Sequence, residues 1–264
     1  MSDSREERLP GGRLTVVLRA GDTVLRESKP WSNDVQRLLS HVRSRGFLLA
    51  PEPLGFDEQG RDVLRYIEGD TSATVTPWPG SLWSDELLVE VGETVADYHR
   101  AVADFVPSEV VHWQYRPRAL ARGEIICHHD FAPYNAVFRG NHLLGMVDWE
   151  SAGPGTIQEE IAFLAWQWVP LRPPEREVDD GSNPRVDQVA RLRLLLDSYG
   201  FEDRMGFIQA IINRVEISRS GIEERASEGG LPYIELRNEG HTRDMESLIR
   251  HLEKNRRKLQ SAIE

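Results

Sequence analysis

Two short segments constrain this chain more than any figure of composition. The first is His128-His129-Asp130-Phe131-Ala132-Pro133-Tyr134-Asn135, of the form H-x-D-x-x-x-x-N. The second is Val147-Asp148-Trp149-Glu150, which follows an apolar run. Residues 124–127 form a short β-rich run into the first segment, and residues 136–138 and 143–147 read as two strands joined by the polar turn 139–142. Antiparallel pairing of these strands places Asn135, at the start of one, near Asp148, at the end of the other. Pro133 argues against a helix through the loop. The spacing therefore predicts an inter-strand loop carrying Asp130 and Asn135, closed by a hairpin that delivers Asp148.

An amide oxygen and a carboxylate are hard ligands of the kind Mg²⁺ prefers. A further carboxylate on the same loop, Asp130, is placed to face an attacking hydroxyl. Phosphoryl transfer requires this combination of groups. Two rival readings are weaker. Cys127, His128, His129 and Asp130 are adjacent in sequence, and neighbours on a strand point to opposite faces, which does not suit a shared transition metal. The His129-Asp130 doublet would suit an HD-type metal phosphohydrolase in helical surroundings, whereas here it lies between strands and three residues before Pro133.

These residues resemble the aminoglycoside phosphotransferase family, small-molecule kinases with a protein-kinase-like fold. The likeness includes the P-G turn Gly153-Pro154-Gly155 and the following Glu160-Ile161-Ala162. It is strongest over residues 124–171 and runs more weakly back to about residue 9. The resemblance implies a catalytic role for Asp130 and Mg²⁺ ligation by Asn135 and Asp148. It implies that His128 braces the loop and that Glu160 buttresses it, with ATP or GTP as phosphate donor. Similar short bacterial proteins also include toxin-immunity-like members, so a non-catalytic nucleotide-binding or immunity protein is the alternative expectation.

The expected fold class is α+β, a bilobal kinase-like fold with a small β-rich lobe and a larger helical one. The expected division is a nucleotide-binding lobe over residues 9–69, a linker over 70–80 and a helical lobe over 81–264. In the first lobe, residues 14–18 and 23–26 are strand-like. Gly11-Gly12 stands where the family has a phosphate-covering loop, and Arg26 where it has a strand Lys on the nucleotide phosphates. Arg can bind phosphate, but its fork does not copy the geometry of Lys. Residues 32–43 show helical spacing of Val35, Leu38, Leu39 and Val42. The family's helix Glu, which orients the strand Lys, has no counterpart here; Gln36 and Asp34 are the available polar residues. Tyr66 and Ile67 end an apolar strand at the expected hinge, where backbone groups meet the nucleotide base.

Helical spacing recurs over residues 85–105, 157–169, 186–199, 205–219 and 241–263, with His99 read as structural. Asp197, Glu216, Glu223, Glu224 and Glu235 are candidate carboxylates for a small, possibly cationic acceptor, although charged helix faces are usually only solvated. The net charge of −11 argues against a nucleic-acid partner. A single Cys excludes an internal disulfide. The charged residues 1–8 lack the apolar run of a signal peptide, and no stretch is apolar enough to span a membrane. Together these features predict a cytoplasmic enzyme.

Overall fold

Short strands near the N-terminus pair into one antiparallel sheet. The computed structural model describes residues 6–10, 16–72, 75, 77–108, 112–171, 173 and 186–264. The strands are β1 (Glu7–Arg8), β2 (Val17–Ala20), β3 (Thr23–Arg26), β4 (Pro53–Phe56) and β5 (Asp62–Arg65), in the order β1-β2-β3-β5-β4. Gly21, with φ of 63°, makes the tight β2–β3 turn. The register of β3 against β5 sets Arg26 directly opposite Asp62. Gly11 and Gly12 lie outside the described residues.

Helix α1 (Ser32–Ser44) buries Val35, Leu38, Leu39 and Val42, the four residues of its predicted apolar stripe. Each such burial stabilises by roughly 1.5–3 kcal/mol. The loop region follows with β6 (Ile125–Cys127), β7 (Ala136–Arg139), β8 (His142–Met146) and β9 (Gly153–Gly155). As predicted, β7 and β8 form a hairpin, with Ala136 opposite Met146. The segment read as a P-G turn is instead the short strand β9, paired with β6. It forms because Gly153 and Gly155 admit neighbours that a Cβ would strike: the Tyr115 carbonyl in one case, Cys127 and His129 in the other.

The chain divides into two compact units, one of Met1–Thr76 with Glu93–Ile157 and one of Pro77–Gly92 with Gln158–Glu264. This partition differs from the chain-order division expected above. The β7–β8 hairpin packs with the N-terminal sheet's unit through local pairings. Asp70 bridges Phe138, the Met146 N–H donates to the Leu49 carbonyl at 2.9 Å, and Gly145 lies against the Ile67 side chain.

Helix α2 (Asp85–Val102) contributes to both units. The second unit also contains α3 (Ile157–Trp168, from Gln158 on), α4 (Gln188–Tyr199), α5 (Phe207–Ser227), α6 (Leu231–Glu239) and α7 (His241–Ile263). Asp187 caps α4, its carboxylate accepting from the Val189 and Ala190 N–H groups. Arg191 is buried and donates to the Trp83 and Trp168 carbonyls and to Asp85, tying α4 to α3 and the start of α2. Ile208, Ile211 and Val215 of α5 and Leu248, Leu252 and Ile263 of α7 supply buried packing. Helix α6 escapes a periodicity reading because none of its residues is buried. Among the described residues no helix is long and apolar enough to cross a membrane.

Candidate functional site

The loop after β6 is held by buried side chains. His128 is fully buried, with its ring 4.6 Å from that of Trp149. Its Nδ1 accepts from the Asp130 N–H at 3.2 Å, and its Nε2 lies 3.0 Å from the Val147 carbonyl. A backbone N–H can only donate, so Nδ1 is unprotonated and Nε2–H donates to Val147. One neutral imidazole thereby joins the loop of Asp130 to the residue before Asp148. Burial pushes the His128 pKa down to about 4, which keeps the ring in this form.

His129 and Asp148 adopt left-handed backbone, with φ of 66° and 63°. Such a conformation is uncommon for residues other than glycine and persists only where its surroundings enforce it. The His129 ring hydrogen-bonds with the Pro154 carbonyl and packs against Tyr115. On the other side, the buried Trp149 indole donates to the Met146 carbonyl at 2.6 Å and meets the Tyr98 ring. Tyr98 in turn donates its hydroxyl to the Ile126 carbonyl at 2.6 Å. Both sides of the loop are thus tied to β6 and β8.

Residues Pro133–Asn135 form one 3-10 turn rather than a helix running through the loop. Pro133 is its first residue, where a missing N–H costs nothing. The turn directs the Asn135 amide nitrogen to the Asp130 carbonyl and to carboxylate Oδ2, at 2.8 and 2.9 Å. The Tyr134 hydroxyl donates to Asp130 Oδ1 at 2.9 Å. With its amide hydrogens directed at Asp130, the group Asn135 retains for a ligand is its side-chain oxygen, Oδ1. The Val147 N–H donates to the Asn135 carbonyl at 2.9 Å, closing the hairpin so that Asp148 follows directly. Asn135 and Asp148 thus offer two hard oxygen donors from adjoining backbone, a set that fits Mg²⁺.

Asp148 is exposed by surface area, though dense protein lies around it. Those surroundings push its carboxyl pKa upward, while Arg26 pulls it down.

Arg26 is buried and paired. Its Nε and Nη2 contact Asp62 at 3.2 and 2.6 Å, and its Nη1 lies 3.4 Å from Glu150. Burial alone would lower its pKa, but Asp62, Glu150 and Asp148 more than offset this and hold it charged. The Gln36 amide hydrogen-bonds Asp62, so Gln36 enters the network, whereas Asp34 accepts from Ser108 and the His112 N–H. Asp62 was missed in the sequence, and Glu150 was quoted there without a role. Only the pairing of β3 with β5 would have brought Asp62 forward.

Of the hinge pair, Tyr66 commits its N–H to the Asp22 carbonyl at 2.8 Å and lies under the Arg19 guanidinium. Ile67 packs on Gly145. Glu160 is fully buried in the first turn of α3. His99 is buried, and its pKa is pushed by burial down to about 3, in keeping with a structural residue. Among the acceptor-site candidates, Glu216 pairs with Arg219 and Asp197 with Arg204, while Glu223 lies 3.9 Å from Arg237.

A family model described as the phosphotransferase enzyme family matches residues 108–183. A trifolitoxin immunity protein from Rhizobium leguminosarum bv. trifolii is 37% identical over 210 residues, covering 77% of this chain and 78% of that protein. Among solved structures, the GDP complex of aminoglycoside 2'-phosphotransferase-IIIa is similar with a TM-score of 0.59 at 14% identity, covering 97% of this chain and 94% of that one. A choline/ethanolamine kinase family protein from Mesorhizobium loti is similar with a TM-score of 0.59 at 18% identity, covering 99% and 92%. At these identities the structural likeness shows the fold, which is kinase-like and mixed α/β.

Proposed function

Since the chain belongs to the phosphotransferase enzyme family, we propose that it is a kinase that transfers the γ-phosphate of ATP or GTP to a hydroxyl of a small acceptor. The observation that carries this reading is the hairpin that joins Asp130, Asn135 and Asp148 into one loop system. Asn135 and Asp148 would hold Mg²⁺, which when bound supplies positive charge to the phosphate oxygens. Asp130 receives the acceptor hydroxyl, orients it and takes its proton late in transfer. Tyr134 Oη contacts Asp130 Oδ1 as an acceptor hydroxyl would, so the acceptor displaces or reorients this phenol. Arg26 contributes a cation to the phosphates. Tyr66 and Ile67 border the base. His128 and Glu160 brace the loop.

A cationic acceptor, such as an amino sugar or an amine metabolite, suits the net charge of −11. The single cysteine is consistent with a cytoplasmic setting. The second reading is a nucleotide-binding immunity protein without turnover, favoured by the relative named as a toxin immunity protein and by the carboxylates already engaging Arg26.

Asp130→Asn separates the two. It keeps the side-chain shape and removes the base. Nucleotide affinity should stay within about twofold of wild type, while phosphate transfer to an accepted hydroxyl should fall by roughly two to four orders of magnitude. Undiminished transfer in this variant overturns the role of Asp130. A wild type that binds Mg²⁺-nucleotide yet phosphorylates no hydroxyl in a broad acceptor panel establishes the binding-protein reading.

A further inference from the structure

Arg26 does not depend on a carboxylate from α1, because that helix offers Gln36 toward the pair instead. The ion pair is set by β-sheet register: Arg26 of β3 and Asp62 of β5 are direct cross-strand partners. Asp62 is only 1% exposed and takes two guanidinium donors on Oδ2. Its other oxygen, Oδ1, accepts from the Gln36 amide. Gln36 is itself fixed on the β4 and β5 backbone, donating to the Gly55 and Val63 carbonyls at 3.3 and 3.1 Å and accepting the Gly55 N–H at 3.1 Å. A side chain as long as Arg otherwise samples many rotamers. Here two of its nitrogens are clamped, and Nη1 is left directed toward Glu150, two residues beyond Asp148.

We propose that Asp62, steadied by Gln36, is the positioning residue that aims the Arg26 guanidinium at the nucleotide phosphates. This rests on the nucleotide site proposed above. A fully buried carboxylate paired with a buried cation also has structural worth, since leaving either alone is costly. The functional role is therefore separated from stability by coupling: if Asp62 acts on nucleotide through Arg26, its substitution has no effect once Arg26 is gone.

The test is calorimetric titration of the full chain with the Mg²⁺ complex of a non-hydrolysable ATP or GTP analogue, alongside thermal unfolding of each variant. Arg26→Met should raise Kd by roughly 10–100-fold, and Asp62→Asn by roughly tenfold. Asp62→Asn added to Arg26→Met should change Kd by less than about twofold, even where Tm falls further. Gln36→Met keeps the ion pair and loosens only Asp62, so it remains informative if Asp62→Asn does not fold. It should raise Kd about threefold in the wild-type background and leave Arg26→Met unchanged. A full further loss of affinity in the double variants overturns the positioning role, as does wild-type Kd in both Asp62→Asn and Gln36→Met. A wild type that binds neither analogue overturns the nucleotide site itself, and the inference with it.

Discussion

Asp148 combines an exposed carboxylate with a left-handed backbone, at φ of 63°. Asp and Asn tolerate that region better than Ala, because their short polar side chains bond locally. Asp148→Asn should therefore retain wild-type thermal stability within about 2 °C, while Asp148→Ala adds roughly 1 kcal/mol of backbone strain. Both should lose the Mg²⁺-dependent part of nucleotide binding, read as the difference in thermal shift with and without Mg²⁺. Equal Mg²⁺ dependence in Asp148→Asn and wild type would remove Asp148 from the metal site. The hairpin that brings Asn135 beside the residue preceding Asp148 was legible in the sequence because its pairing is local. The partners of Arg26 were not, because Asp62 reaches it only through pairing of strands separated by α1 and β4.

At the scale of elements, the segment 66–70 is held to the β7–β8 hairpin by close backbone approach. A Cβ on Gly69 would lie 2.6 Å from Val137 Cγ1 and 3.0 Å from the Phe138 carbonyl oxygen. The second contact is backbone, which cannot swing aside as a side-chain end can. Gly69→Ala should accordingly destabilise by roughly 1–3 kcal/mol, measured by urea unfolding. No change in the unfolding midpoint would show that this packing is looser than described. Helix α1 and the β7–β8 hairpin were readable because apolar spacing and turn residues agree with their final packing. Strand β1 and helix α6 were not. Their residues are exposed or only partly covered, so burial imposes no periodic pattern on them.

For the molecule as a whole, buried neutral histidines predict acid sensitivity. His128 and His99 have folded-state pKa values pushed down to about 4 and about 3, from an ordinary value of 6.5. Below pH 6.5 the unfolded chain takes up these protons while the folded chain does not, so stability falls as pH falls toward the folded values. Above 6.5 both states are neutral and the contribution is flat. His128 alone should account for a loss on the order of 3 kcal/mol between pH 6.5 and 4. Urea midpoints across pH 4–8 check the sign, and His128→Asn should show a shallower acid limb. A midpoint that stays level from pH 6.5 to 4 would contradict the neutral imidazoles. The kinase-like character was legible from the loop motif taken together with Asp148 after the hairpin, but the packing of residues 66–70 on that hairpin was not, because chain order separates them. The hairpin has one more effect, on entropy. Asn135 and Asp148 stand at its two ends, so β-pairing has already met the loop-closure cost of bringing these two residues near one another. A cation arriving there would find its donors preorganised, and its binding energy would remain available for the phosphates rather than for ordering the chain.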